Sequence, residues 1–180
     1  MTNFIDIQDF SKEEILRLIG TAIQSKRTAT SDSKIAANKV IALIFEKKST
    51  RTRLSFDVAI RQLGGASIVL DTSNIHLGSG NESLSDTAKT MSLYVDALVL
   101  RVNDHNSIIE MAKNSSIPVI NGLSNISHPC QVMAGLMTLV EERKTLENLN
   151  LVWMGPITNV AHSWIEAFNK KLGFSLSIFC

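Results

Sequence analysis

Cysteine is scarce: the 180 residues hold two, Cys130 and Cys180. Two thiols make no disulfide framework, so the default setting is a reducing, cytoplasmic one. A dominant charge is lacking too. Eighteen Lys and Arg stand against 17 Asp and Glu, and a net charge of +1 gives no bulk reason to expect nucleic acid or an anionic membrane as partner. No apolar run approaches the ~18 residues that span a bilayer. The opening Met1-Thr2-Asn3-Phe4-Ile5-Asp6-Ile7 lacks the basic start and apolar core of a signal peptide. No cluster has metal-ligand spacing, and no Gly-x-Gly-x-x-Gly run offers a dinucleotide site. Internal repeats and low-complexity tracts are absent. What is present is a hydrophobic content of 44% with 19% charged residues, enough to bury a sizeable core. The length fits one large domain or one and a half smaller ones.

Strand and helix patterns alternate along the chain. Ser11-Lys12-Glu13-Glu14 reads as a capping box, and Ile15, Leu18, Ile19 and Ile23 give the helix after it one apolar face, ending near Lys26-Arg27. Thr28 to Ser33 is a polar loop. Val40 to Phe45 has the length and branching of a buried parallel strand, and Arg51 to Leu63 is a helical pattern closed by Gly64-Gly65. Ala66 to Leu70, Ala97 to Leu100 and Pro118 to Ile120 are further strands. Between them lie a long polar loop from Asp71 to Glu82, a helix capped by Ser83 and reaching about Tyr94, and a helix from Asp104 to Asn114. Asn121 to Ser127 reads as a loop, and His128-Pro129-Cys130-Gln131 opens a long helix to about Arg143, with Pro129 in the first turn where its missing N–H is harmless. Leu151 to Met154 is a strand, Asn159 to Leu172 a helix, and Ser175 to Phe179 a strand. This order predicts an α/β fold, a parallel sheet with helices on both faces, followed by the start of a second α/β domain.

One stretch concentrates chemistry. Phe45-Glu46-Lys47-Lys48-Ser49-Thr50-Arg51-Thr52-Arg53 places three hydroxyls and two guanidinium groups where a strand ends and a helix begins. A helix N-terminus offers unpaired N–H groups and partial positive charge, hydroxyls add donors, and arginine adds a fork matched to phosphate. The position is an anion site in one reading and an N-cap with solvated arginines in the other. In open α/β sheets the ligand lies at the carboxyl ends of the strands. Arg101 falls at the end of one strand, and His128 and Gln131 follow another, so three segments converge on that edge, which favours the anion site.

Phe45 to Phe56 resembles the carbamoyl-phosphate motif of the aspartate and ornithine carbamoyltransferases, and His128-Pro129-Cys130-Gln131 resembles their second signature, His-Pro-x-Gln. The two stand in the family's order and spacing, and the likeness runs over essentially the whole chain. The ornithine branch fits best. Lys48 stands where aspartate enzymes usually have Pro, and the loop Asn74-Ile75-His76-Leu77-Gly78-Ser79-Gly80-Asn81-Glu82-Ser83 carries no Lys. The resemblance implies a carbamoyl-phosphate-binding domain over residues 1–147 and, over 148–180, the truncated beginning of an ornithine-binding domain. The chain alone is then incomplete for catalysis.

By that resemblance, Ser49, Thr50, Arg51 and Thr52 would hold the phosphate. Arg101 would reach phosphate and carbonyl oxygen together, His128 would donate to the carbonyl oxygen, and Gln131 would orient the carbamoyl group. His76 would enter a neighbouring subunit's site, although it also reads as a plain loop residue. Asn159 matches a position that contacts the amino-acid substrate. The implied reaction is attack of the neutral δ-amine of ornithine on carbamoyl phosphate, giving citrulline and phosphate within arginine biosynthesis, with no metal or organic cofactor and with a homotrimer as the assembly. Pro156 replaces an acidic residue usual in ornithine enzymes. Aspartate, putrescine or a modified ornithine therefore stay open as acceptors, and a non-catalytic phosphate-binding or assembly module stays open as a second class of function.

Other residues read as structural. Glu46 is expected to pair with a nearby cation, and Arg53 to form an ion pair. His105 and His162 are expected at the surface or in packing, and Trp153, Trp164, Met133 and Met137 in a core or interface.

Overall fold

The structure, a computed structural model, describes residues 3–28, 35–46, 48–71 and 82–180. In chain order it contains a 3-10 turn (Ile7–Asp9), α1 (Lys12–Thr28), β1 (Val40–Phe45), α2 (Thr50–Gln62), β2 (Ala66–Asp71), α3 (Leu84–Met91) and β3 (Ala97–Arg101). Then follow α4 (His105–Asn114), β4 (Val119–Leu123), α5 (Pro129–Arg143), β5 (Asn150–Met154), α6 (Asn159–Asn169) and β6 (Ser175–Phe179). These elements fall into two compact units, Met1–Ile5 with Thr28–Asn125, and Asp6–Arg27 with Ile126–Cys180. By packing, the division runs after Asn125. Side chains far apart in sequence draw α1 and α5 into the second unit: Lys26 pairs with Glu141 at 2.9 Å, and Glu166 accepts from the Ile7 N–H at 3.2 Å.

The first unit is a parallel four-stranded sheet in the order β2-β1-β3-β4. Residues of β1 alternate between two buried faces. Ala42 and Ile44 pack in one cluster with Ala88 of α3 and Ile108 and Met111 of α4, while Leu43 and Phe45 pack in another with Ile60 of α2. Helices therefore cover both faces, and both faces demand apolar residues, which is why β1 is an unbroken apolar run. Each of the larger side chains contributes about 1.5–3 kcal/mol by leaving water. In the register, Phe45 is level with Asp71 on one side and Arg101 on the other, so the three strands end together.

Three elements depart from the sequence reading. β4 runs on to Leu123, through residues expected in a loop. Asn121 is tolerated there because its side-chain amide donates to Ile5 O at 2.9 Å and its N–H to Phe4 O at 2.8 Å. At Gly122 a Cβ would stand 3.1 Å from Val99 Cγ1 and 3.2 Å from Leu100 O, so the neighbouring strand leaves no room for a side chain without a shift. α3 stops at Met91 rather than near Tyr94. The Leu93 and Tyr94 N–H groups bond three residues back, to Thr90 O and Met91 O, and the Ser92 hydroxyl donates to Ala88 O at 2.7 Å. α6 stops at Asn169 rather than Leu172, because Lys171 turns to a φ of 54° and buried Leu172 and Phe174 are drawn into the core.

The second unit pairs β5 with β6 in parallel, Asn150 with Ser175 through Met154 with Phe179. α5 and α6 meet at Gly135, where a Cβ would stand 2.8 Å from Trp164 Cζ2. The Trp164 ring stands edge-on to Phe174, with centroids 6.0 Å apart.

Candidate functional site

In the first unit the site begins where β1 ends. Ser49 takes the N-cap position of α2 in extended backbone (φ −151°), yet its side chain makes no capping bond. The cap reading of this stretch is met in position but not in chemistry. The N–H groups of the first turn have no acceptor within the helix by construction. A cavity of about 320 Å³ opens beside them, lined in part by Lys48, Ser49, Thr50, Arg53 and Asp71. That volume suits a small anionic ligand, and among the described residues the lining carries two cations against one carboxylate.

Arg101 arrives from β3. Its Nη1 donates to Thr52 Oγ1 at 3.0 Å, tying the end of one strand to the first turn of the helix after another. Among the described residues its Nε is buried without a hydrogen-bond partner. Burial, and then the charge of Arg51, lower the guanidinium from its ordinary value, and arginine stays charged all the same. Neither Arg51 nor Arg101 lines the cavity, but the Arg51 charge is felt at Arg101, so cationic charge accumulates around Thr52. Such a cluster, with hydroxyl and helix-terminal donors beside it, binds anionic oxygens.

Among the described residues, Glu46 does not pair with a cation. Its carboxylate accepts from the Asn103 N–H at 2.5 Å, and its own N–H donates to Arg101 O at 3.0 Å. β1 and β3 end level, so the chain leaving β3 passes within reach of this side chain. Arg53 makes no ion pair within contact distance among the described residues. It lines the cavity, and its charge is one of several influences lowering Asp57, the largest being the hydrogen bond from Ser67. His105 is a packing residue, buried, with Nδ1 2.9 Å from Ser124 Oγ. His76 lies outside the described residues.

In the second unit, His128 is the N-cap residue of α5 and Pro129 is its first helical residue. The His128 N–H donates to Ser163 Oγ of α6 at 3.0 Å. Gln131 sits exposed in the first turn of α5, its N–H donating to His128 O at 3.2 Å. Cys130, between them, has its thiol pushed up to about 12 by burial, which favours the neutral thiol at neutral pH. Asn159 is the half-buried first residue of α6. The turn before it is fixed by Gly155 at φ 121° and by Trp153, whose indole N–H is shared between Gly155 O at 3.2 Å and Pro156 O at 3.1 Å. Trp153 is thus a loop anchor, while half-buried Trp164 packs against Gly135 and Phe174.

The sequence reading passed over Asp6, Ser127, Ser163 and Glu166, four buried polar residues of this unit. Glu166 alone left a signal: a carboxylate among the apolar residues of α6, three positions from Ser163 and therefore on one face with it. Burial first, and Asp6 second, push it up to about 7.

A family model described as aspartate/ornithine carbamoyltransferase, carbamoyl-P binding domain, matches residues 2–141. An ornithine carbamoyltransferase of Rhizorhabdus wittichii is 42% identical over 99% of this chain and 59% of its own length. One of Methanocaldococcus jannaschii is 44% identical over 91% of this chain and 53% of its own. Among solved structures, the ornithine carbamoyltransferase of Pyrococcus furiosus superposes with a TM-score of 0.90 at 38% identity, covering 98% of this chain and 57% of that one. That of Thermus thermophilus gives 0.91 at 32% identity, covering 98% and 60%. The chain thus spans somewhat more than half the length of the relatives it matches. With the family model matched over most of its residues, it belongs to the aspartate/ornithine carbamoyltransferase family.

Proposed function

We propose that this protein transfers the carbamoyl group of carbamoyl phosphate to the δ-amine of ornithine. The observation that carries the reading is the Arg101–Thr52 contact, which sets a fixed cation against a helix N-terminus already supplied with hydroxyl groups. The names of the relatives, and the 42% identity to one of them, support ornithine as the acceptor. In this reading Ser49, Thr50, Arg51 and Thr52 hold the phosphate, and Arg101 reaches phosphate and carbonyl oxygen. His128 donates to the carbonyl oxygen, Gln131 orients the carbamoyl group, and Asn159 contacts the amino acid. His76 enters the site from a neighbouring subunit of a homotrimer. Residues 1–147 form the carbamoyl-phosphate side and 148–180 open the ornithine side. The protein works in the cytoplasm, in arginine biosynthesis.

The neutral amine nitrogen attacks the carbonyl carbon and a C–N bond forms. Negative charge gathers on the carbonyl oxygen, where each preorganised donor is worth about 3 kcal/mol. The bond from the carbonyl carbon to the bridging oxygen then breaks, phosphate leaves with that electron pair, and the nitrogen gives up one proton to the departing phosphate or to water. Arginine supplies positive charge to the leaving group independently of pH.

Calorimetry with carbamoyl phosphate tests the site. Binding is expected, with Arg51→Ala removing most of the affinity, since no other side chain restores a forked contact. Unchanged affinity in that variant counts against the assignment. The turn Gly155-Pro156-Ile157-Thr158, in which Pro156 stands in place of an acidic residue, favours one second reading, a different amine acceptor. A panel of ornithine, putrescine and aspartate, assayed with carbamoyl phosphate, separates the two: citrulline from ornithine alone supports the first.

A further inference from the structure

Within the second unit, the chain around His128 is held by a closed circuit of side-chain hydrogen bonds. The His128 N–H donates to Ser163 Oγ of α6 at 3.0 Å. The hydroxyl of Ser127, the residue before it, donates to the Asp6 carboxylate. The N–H of Ile7, the residue after Asp6, donates to Glu166 Oε2 of α6 at 3.2 Å. Ser163 and Glu166 share one helix face, three residues apart, so the circuit closes through α6. Ser127 and Ser163 are fully buried, Asp6 is 7% exposed and Glu166 5%. On the other side of His128, the Pro129 ring restricts the backbone of the residue before it.

We propose that Ser163, Asp6 and Glu166 are positioning residues that act together through the backbone around His128 to fix where its imidazole points. The inference rests on the reading of His128 as a donor to the carbonyl oxygen. Burying two carboxyl groups and two hydroxyls costs free energy that an apolar contact between α5 and α6 would not incur. Val132 and Leu136 already supply such a core on α5. What the polar circuit adds is direction: hydrogen bonds fix the residue 127–128 backbone in orientation as well as distance, as a donor aimed at a developing oxyanion needs. The same helix begins at Asn159, one turn before Ser163. A single rigid element therefore sets His128 relative to the residue read as the amino-acid contact.

The test is amide hydrogen exchange at His128, read by NMR on this chain, with Leu136 in the same helix as internal reference. Ser163→Ala, Asp6→Ala and Glu166→Ala are each expected to speed exchange at His128 about tenfold, the size of one lost hydrogen bond, while Leu136 stays within about twofold. Asp6→Asn, which keeps an acceptor for Ser127, restores protection, and Thr138→Ala, outside the circuit, leaves it unchanged. The Asp6→Ala change is also expected to weaken carbamoyl phosphate binding about tenfold, and Asp6→Asn to leave it near the parent value. Equal acceleration at His128 and Leu136 means general loosening and overturns the proposal, as does unaltered exchange at His128. Should Asp6→Ala not fold, the Ser163 and Glu166 variants decide by the same comparison. Absence of carbamoyl phosphate binding in the parent chain overturns the site reading instead, because the exchange result does not depend on it.

Discussion

The Arg101 guanidinium, at the end of β3, donates to the Thr52 hydroxyl, in the first turn of α2, across 3.0 Å. The two residues are 49 positions apart in sequence. They meet because β1 and β3 are neighbours in the sheet with Phe45 level with Arg101, and because α2 starts just past the end of β1.

Breaking that pair tests its purpose. Thr52→Ala leaves Arg101 without its guide and is expected to weaken carbamoyl phosphate binding by about 1 kcal/mol, while Arg101→Ala costs roughly 1.5–3 kcal/mol, the range for hydrogen bonds to a charged group. Calorimetry on both variants checks the order. A larger loss for Thr52→Ala than for Arg101→Ala contradicts the assignment.

Ser49 separates ligand chemistry from helix capping. A capping serine replaced by alanine destabilises a protein by about 1 kcal/mol. Ser49 makes no capping bond, so Ser49→Ala is expected to leave unfolding free energy within about 0.5 kcal/mol, as for an ordinary surface change, while reducing affinity for carbamoyl phosphate. Denaturant unfolding and calorimetry on one variant read both quantities.

Stability should depend on pH through Glu166. Burial, and then the charge of Asp6, push its carboxyl up from 4.5 to about 7, with Asp9 adding to the rise and the Ile7 and Gln8 N–H groups opposing it. His162 Nδ1 faces it at 3.6 Å. A raised folded value means the folded state keeps a proton that the unfolded state has released. The contribution is fully present below pH 4.5 and is lost as pH rises through about 7. Between those values the slope is at most about 1.4 kcal/mol per pH unit. Glu166→Gln is expected to flatten this part of the profile. A parent and variant that run parallel from acid to neutral pH would falsify the assignment.

Gly135 is a packing test independent of any ligand. With 2.8 Å between an added Cβ and Trp164 Cζ2, Gly135→Ala forces the indole or α5 to shift. Overpacking of this kind costs about 1–3 kcal/mol, partly offset by the better helix propensity of alanine, and thermal unfolding reads the balance. An unchanged or raised melting temperature would show that the two helices have room to spare.

Much of the first unit was legible in the residues. β1 announces itself as an apolar run because both its faces are covered, and α5 begins where Pro129 permits. β4 is hidden past Ile120, since Asn121 and Gly122 carry turn chemistry and only Ile5 O and the close passage of Leu100 make them strand residues. Glu46 is a related case. A carboxylate beside lysines suggests an ion pair, and nothing local reveals that the Asn103 N–H lies within 2.5 Å.

By itself, the sequence determined the kinds of element, their order, and the chemistry gathered at Ser49 to Arg53 and at His128 to Gln131. These follow from local patterns: periodicity, branching, and hydroxyl and guanidinium groups at a strand–helix junction. Only the tertiary structure decided which helices share a unit, that the Ser49 hydroxyl is not spent on a cap, and that Arg101 bears on Thr52. It also decided that His128 is gripped from α6 and, through Ser127, from Asp6. Hydrogen bonds between residues 35 to 121 positions apart depend on the strand register and helix packing that bring them together, and no local pattern encodes those distances.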